Sequence, residues 1–360
     1  MRTRILNKML ASEVEEYLAR GGNTIFMATG VVEVHGIIPI DVEQIVPEAY
    51  SVCLAEEFDG LALINNPYFF PGGTIVSNAT VQMSVRDSID YLMKIWHSLV
   101  AQGFKKIFIV DAHGPATLYV DAAVRDFFQE TKVMVCHINM RSARAEYNKR
   151  HGIPQMSMEQ MMARMRDPEN MKAKRVQEYG AYRIMGQEEY LPVVPGGKGI
   201  PVEMAVADPR LTALQKACRD CGVKAAYYFS KPEEHLGYDD PAQSVEERDA
   251  LCAQGAAEIR EIASLMPIKE LQDALDEYEG YIKDVQEKYP RLKGIYSEGG
   301  RQDENKNLKQ NAGVGGRGVS GTRRQYYFCR SRRCRGSRRH AGGCRADRSG
   351  SNGSCYGGGV

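Results

Sequence analysis

Four short runs constrain what this 360-residue chain can fold into more than any other feature. They are "NTIFMAT" (23–29), "GLALINNP" (60–67), "KKIFIVDAHG" (105–114) and "KVMVCHINM" (132–140). Each is nearly continuously apolar and too short for a buried helix. A strand that is apolar on both faces must be covered on both faces, as in a parallel sheet. Between these runs lie "DVEQIVPEAYSVCLAEEF" (41–58), "SVRDSIDYLMKIWHSLVAQG" (84–103) and "ATLYVDAAVRDFFQET" (116–131), all with helical apolar spacing. The alternation predicts an α/β protein, a three-layer α/β/α sandwich around a mostly parallel central sheet. Further helices are predicted over 208–230, 244–266 and 269–290, the last mostly polar on its outer face. Residues 141–200 are less regular and rich in Met, Arg and Gly.

Charge divides the chain. Residues 311–360 hold eleven Arg, no Lys and one acidic residue, Asp347, so the tail carries about +10. The formal net charge of +1 then leaves about −9 for residues 1–310. An acidic body argues against a nucleic-acid-binding core. The Gly/Arg/Ser/Cys tail has no apolar period and cannot bury a core. It is expected to be disordered, with a composition that out-of-frame translation of GC-rich sequence would give. An RGG-like nucleic-acid segment is the functional alternative. The expected organisation is one domain over 1–290, a polar linker over 291–310 and the tail over 311–360. No apolar run is long enough to cross a membrane, and "MRTRILNKML" lacks the core of a signal peptide. Five body cysteines (Cys53, Cys136, Cys218, Cys221, Cys252) form no even framework. A reducing, cytoplasmic setting with free thiols is expected.

The chemistry is concentrated in "GVVEVHGIIPIDVE" (30–43), which sets Glu33, His35, Asp41 and Glu43 among apolar residues just past the first strand. Glu33 and His35 are two apart, so in an extended segment they point the same way. His113 lies at the carboxyl end of another strand. Ligands bind beyond those ends in parallel α/β sheets. Glu43, at the start of the next helix, can turn back to the same edge. Two carboxylates and two imidazoles there suit Zn, Mn or Fe(II). The competing reading makes Glu33 and Glu43 helix caps and lets His35 fill a turn. His137 ends the strand 132–140 and is expected to reach the same crevice as a supporting or substrate-contacting group.

These landmarks resemble the creatininase family of metal-dependent amidohydrolases. "EVHGIIP" matches the family's Glu-x-His-Gly-x-His-Leu-Pro at Glu33, His35, Gly36 and Pro39. "FFPGGTIV" resembles its Phe-Pro-Gly-Thr turn at Phe70, Pro71, Gly72 and Thr74. "GFKKIFIVDAHG" resembles the strand that ends in Asn-Gly-His-Gly, with His113 as its His. "VADPRLTALQKA" resembles a Gly-Asp-Pro segment at Asp208, Pro209 and Lys216. Departures accompany the match: one residue is missing before Pro39, the second His is replaced in the region of Ile37 and Ile38, and Glu43 stands where the family has Asp. The resemblance implies metal ligation by Glu33, His35, Glu43 and His113, with Glu159 as a fifth ligand. Glu33, His113 and His137 are the expected catalytic residues.

One or two divalent ions per chain are implied, Zn or Mn with Fe(II) as an alternative. So is a metal-held water attacking a carbonyl of a small ring. The bond opened is the C–N bond of a cyclic amide or, in one branch, the ring C–C bond of 3-dehydro-scyllo-inosose. A homo-oligomer, a hexamer by resemblance, is expected, with a small cyclic substrate as partner and neither membrane nor nucleic acid. A metal-free ligand-binding protein of the same fold is the alternative. His97 reads as a packed or surface residue on its helix, and His151 and His235 lie in loop-like sequence. Cys218 and Cys221 form a C-x-x-C within a helix with no second pair. "PGGKGIP" (195–201) lacks P-loop spacing and reads as a loop that offers Lys198 to substrate. The Met-rich 156–165 reads as packing or a subunit contact.

Overall fold

A computed structural model describes residues 1–35, 38–140, 142–154, 175–196, 209–223 and 241–292. The chain divides into two units, Met1–Lys306 and Asn307–Val360, and the described residues belong to the first. Glu159, Lys198, Asp208, His235, the Met-rich 156–165 and the Arg-rich tail lie outside the described residues.

Four strands form one parallel sheet. They are β1 (Thr24–Ala28), β2 (Leu61–Leu63), β3 (Lys106–Asp111) and β4 (Val135–Asn139), in the order β2-β1-β3-β4. Registers run Ile25↔Leu61, Phe26↔Phe108 and Ile109↔His137. Alternate side chains enter different cores, which is why the strands read as unbroken apolar runs. Phe26, Phe108 and Val110 face one side, where the two phenyl rings stack 5.0 Å apart. Ile25, Met27, Ile107 and Ile109 face the other.

The first face is covered by α2 (Val42–Glu57) together with two later helices, Val176–Ile184 and Val245–Ser264. The second is covered by α1 (Ala11–Ala19), α3 (Val85–Ala101) and α4 (Thr117–Thr131). After the short helix α5 (Ala145–Arg150), the remaining helices are α6 (Val176–Ile184), α7 (Pro209–Asp220), α8 (Val245–Ser264) and α9 (Ile268–Lys288). Ser84 starts α3 as predicted, its hydroxyl accepting from the Asp87 N–H at 3.1 Å. The expected α/β/α layering and parallel sheet are observed.

Two predicted spans are shorter than the sequence suggested. The run 60–67 pairs only over Leu61–Leu63, because the Asn7 side chain takes both the N–H and the C=O of Ile64 at 3.0 Å. Asn65 then turns left-handed with φ 64°. The described part of 208–230 is helical over Pro209–Asp220 only.

In this strand order, β1 and β3 are neighbours whose following helices, α2 and α4, pack on opposite faces. That is a topological switch point, where a crevice opens beyond the strand ends. The segments carrying Glu33 and His113 both leave the sheet there.

Candidate metal centre

Between β1 and α2 the described residues have no regular secondary structure, yet the backbone is pinned. Val31 bridges Tyr68, the Val81 N–H donates to the Val32 carbonyl at 2.9 Å, and the Glu33 N–H donates to the Ile40 carbonyl at 3.0 Å. The last bond folds the loop so that the first turn of α2 lies against its beginning. Gly30 permits that approach, since a Cβ there would meet Gln44 Cα at 2.5 Å and the Glu43 carbonyl oxygen at 2.7 Å. Pro47 sits inside α2 and cannot donate the helical bond to that same Glu43 carbonyl.

The result is a cluster. One ligand atom each from Glu33, His35 and Glu43 can be chosen so that all three lie within 4.8 Å of one another. Glu33 is buried, with 5% of its surface exposed, and His35 and Glu43 are half-buried. His113, 3% exposed, comes off the end of β3 and sets Nε2 at 3.2 Å from Glu33 Oε1. The other oxygen, Glu33 Oε2, accepts from the Thr74 hydroxyl at 2.6 Å. Four predicted ligands are thus brought together from three separate stretches of chain.

Their chemistry fits a divalent cation. Two carboxylates and a neighbouring imidazole supply hard oxygen and borderline nitrogen donors. A buried carboxylate such as Glu33 needs compensating charge or hydrogen bonds. The buried Nδ1 of His113 has no hydrogen-bond partner among the described residues.

Other groups around the cluster are not legible in the sequence. Arg175 Nη1 donates to His35 Nε2 at 2.5 Å and lies 3.8 Å from Glu178 Oε1. The Tyr182 hydroxyl donates to Asp41 Oδ1 at 2.5 Å, so Asp41 is directed at α6. Burial, then the hydrogen bond and charge of Asp41, push the Tyr182 phenol upward, so it remains a donor. Thr74 does carry a signal, because it belongs to the "FFPGGTIV" turn. Arg175 and Tyr182 carry none, since nothing in a sequence pairs positions some 140 apart. Ile38, in the region where the family's second His would lie, is buried in the apolar core instead.

His137 lies inside β4, paired with Ile109, and presents no open nitrogen to a substrate. Its Nε2 contacts Asp111 Oδ2 and its Nδ1 lies 2.7 Å from Asp121 Oδ1. Burial opposes its charge, but the hydrogen bonds and attraction of Asp111 and Asp121 outweigh that and raise its pKa. The discounted histidines sit in surface pairs: His97 at 2.9 Å from Glu130 and His151 at 2.9 Å from Glu261. The five body cysteines are free thiols, and no described helix is long and apolar enough to cross a membrane.

The family model for creatininase (creatinine amidohydrolase) matches residues 7–181, which contain Glu33, His35, Glu43, Thr74 and His113. No curated protein matches the chain. Among solved structures, a creatinine amidohydrolase (creatininase) is similar at 14% identity and TM-score 0.48, covering 74% of this chain and 99% of its own. The structure "Creatininase Mn" is similar at 13% identity and TM-score 0.49, covering 74% and 100%. A mutant creatininase of Zn–Zn type is similar at 14% identity and TM-score 0.48, with the same coverage. Residues 7–181 are a creatininase-family domain.

Proposed function

We propose that this protein is a metal-dependent hydrolase that opens a small cyclic substrate by adding water to a ring carbonyl. The observation that carries the reading is the convergence of Glu33, His35 and Glu43 donors within 4.8 Å, with His113 against Glu33. These four residues would hold the cation. A divalent cation supplies Lewis-acid polarisation of a carbonyl and brings the pKa of bound water toward neutrality.

The side chains have separable tasks. Thr74 restrains one oxygen of Glu33, so the carboxylate cannot swing, and Oε1 faces the crevice beside His113. Oε1, the oxygen not taken by Thr74, would be the one that holds the cation. The burial of Glu33 and His113 keeps bulk water from competing with substrate. Of the two narrower readings, the family's amidohydrolase character supports a cyclic amide C–N bond. The ring C–C bond of a cyclic diketone such as 3-dehydro-scyllo-inosose would use the same carbonyl polarisation, with a carbon leaving group.

Elemental analysis of protein purified without chelator tests the reading. One or two equivalents of Zn, Mn or Fe per chain are expected, lost in Glu33→Ala and His113→Ala. Hydrolysis of cyclic amides or diketones should disappear with the metal. Wild-type protein that neither contains nor takes up a divalent ion would make it a metal-free ligand-binding member of the fold, and the hydrolase reading would be wrong.

A further inference from the structure

Asp111 is the last residue of β3 and is completely buried. A buried carboxylate without a counter-charge is strongly unfavourable. Its nearest polar neighbours come from β4. His137 Nε2 contacts Oδ2, and Asn139 Nδ2 donates to Oδ1 at 3.3 Å. The register explains the meeting: Ile109 pairs with His137 and Asp111 with Asn139, so Asp111 and His137 project from the same face one pair apart. On that face α4 contributes Asp121, whose Oδ1 lies 2.7 Å from His137 Nδ1.

A neutral imidazole has one N–H and one bare nitrogen. Between two carboxylates, the bare nitrogen would face an acceptor. Only the imidazolium donates at both positions. Held between these two carboxylates, His137 ties β3, β4 and α4 together. The Met140 N–H, donating to the Asp111 carbonyl at 2.8 Å, closes the same corner. Two residues beyond Asp111 the chain delivers His113 to Glu33.

We propose that His137 is a positioning residue of the metal centre: held by Asp111 and Asp121, it fixes the end of β3 from which His113 projects. This inference rests on the reading that Glu33, His35, Glu43 and His113 hold a divalent cation. It gives His137 a role in metal affinity with no contact to metal or substrate.

The test is calorimetric titration of the chelator-treated full chain with Zn or Mn, with thermal unfolding of each metal-free variant as control. His137→Gln keeps an amide donor and removes the charge. It is expected to weaken metal binding roughly 10- to 100-fold, the range for partners that orient a ligand. Asp111→Asn combined with His137→Gln restores a neutral pair and should recover most of that loss. Asp121→Asn, altered only at the exposed partner, should weaken binding in the same direction by a smaller factor, and it keeps the test alive if His137→Gln fails to fold.

Wild-type affinity in a folded His137→Gln, or in Asp121→Asn where the single His137 variant does not fold, would overturn the inference and leave the metal reading intact. A double variant as weak as the single would overturn the counter-charge argument. A wild type that binds neither ion would remove the metal reading and this role together.

Discussion

Thr74→Val isolates one bond of the centre. The hydroxyl donates to Glu33 Oε2 at 2.6 Å with both residues buried, 4% and 5% exposed. Valine keeps the shape and replaces the hydroxyl by a methyl, so no cavity opens. What is lost is a hydrogen bond to a charged, desolvated acceptor, worth about 1.5–3 kcal/mol. Because Oε2 is left without its donor and water has little access, the loss should fall in the upper half of that range. Urea denaturation of the metal-free protein reads it directly, with Thr74→Ser as the variant that keeps the bond and stays near wild type. Metal titration should show the freed carboxylate as roughly tenfold weaker binding. If Thr74→Val matches wild type in both measurements, Glu33 is not held by this contact, and the account of an oriented carboxylate is refuted.

Other outcomes follow from the same geometry. Glu43→Gln keeps the side chain's shape but replaces the charged donor, and it should lower metal content measured by elemental analysis while leaving circular dichroism unchanged. Gly255→Ala would set a Cβ 1.8 Å from the Val176 carbonyl oxygen, and overpacking of this kind destabilises by about 1–3 kcal/mol; an unchanged melting temperature would contradict the close helix crossing. The raised pKa of His137 makes its contribution to stability complete below about pH 6.5, the ordinary His value, and lost as pH rises through the elevated folded value. Urea midpoints from pH 6 to 9 should fall in the wild type and stay flatter in Asp111→Asn/His137→Gln. Removing residues 311–360 should leave metal binding as in the full chain; loss of binding would tie the tail to the centre.

Much of the fold and of the candidate metal centre is legible in the amino-acid sequence alone. The strands β1 and β3 announce themselves because both faces are buried, and an apolar run has no other use there; β4, at the sheet edge, is only partly buried. Glu33, His35, Glu43 and His113 are legible because each sits at a strand end or a helix start, where the fold class places ligands. Thr74 is visible only through the family turn that contains it. The partners of His137 are not legible: Asp111 reads as part of a strand and Asp121 as a surface helix residue, and only the register of β3 on β4 brings them to one imidazole. Arg175 and Tyr182 lie beyond any pattern, because their meeting with His35 and Asp41 depends on how α6 crosses α2. The shortening of β2 comes from a side chain, Asn7, that competes for the backbone of Ile64.

The crossing of α6 and α8 fixes which wall of the centre can yield. Gly180 and Gly255 leave no space for a methyl group, with an added Cβ at Gly180 meeting the Gly255 carbonyl carbon at 2.0 Å. Helices in such contact slide or part only together, so the wall that holds Tyr182 and Arg175 behaves as a fixed jamb. The 68–81 segment meets the site through Thr74; its Tyr68, Ile75, Val76 and Val81 are exposed, and its only described regular element is the short 3-10 turn Thr74–Val76. Side-chain changes have room at those exposed positions and none at the glycine crossing of the helix pair.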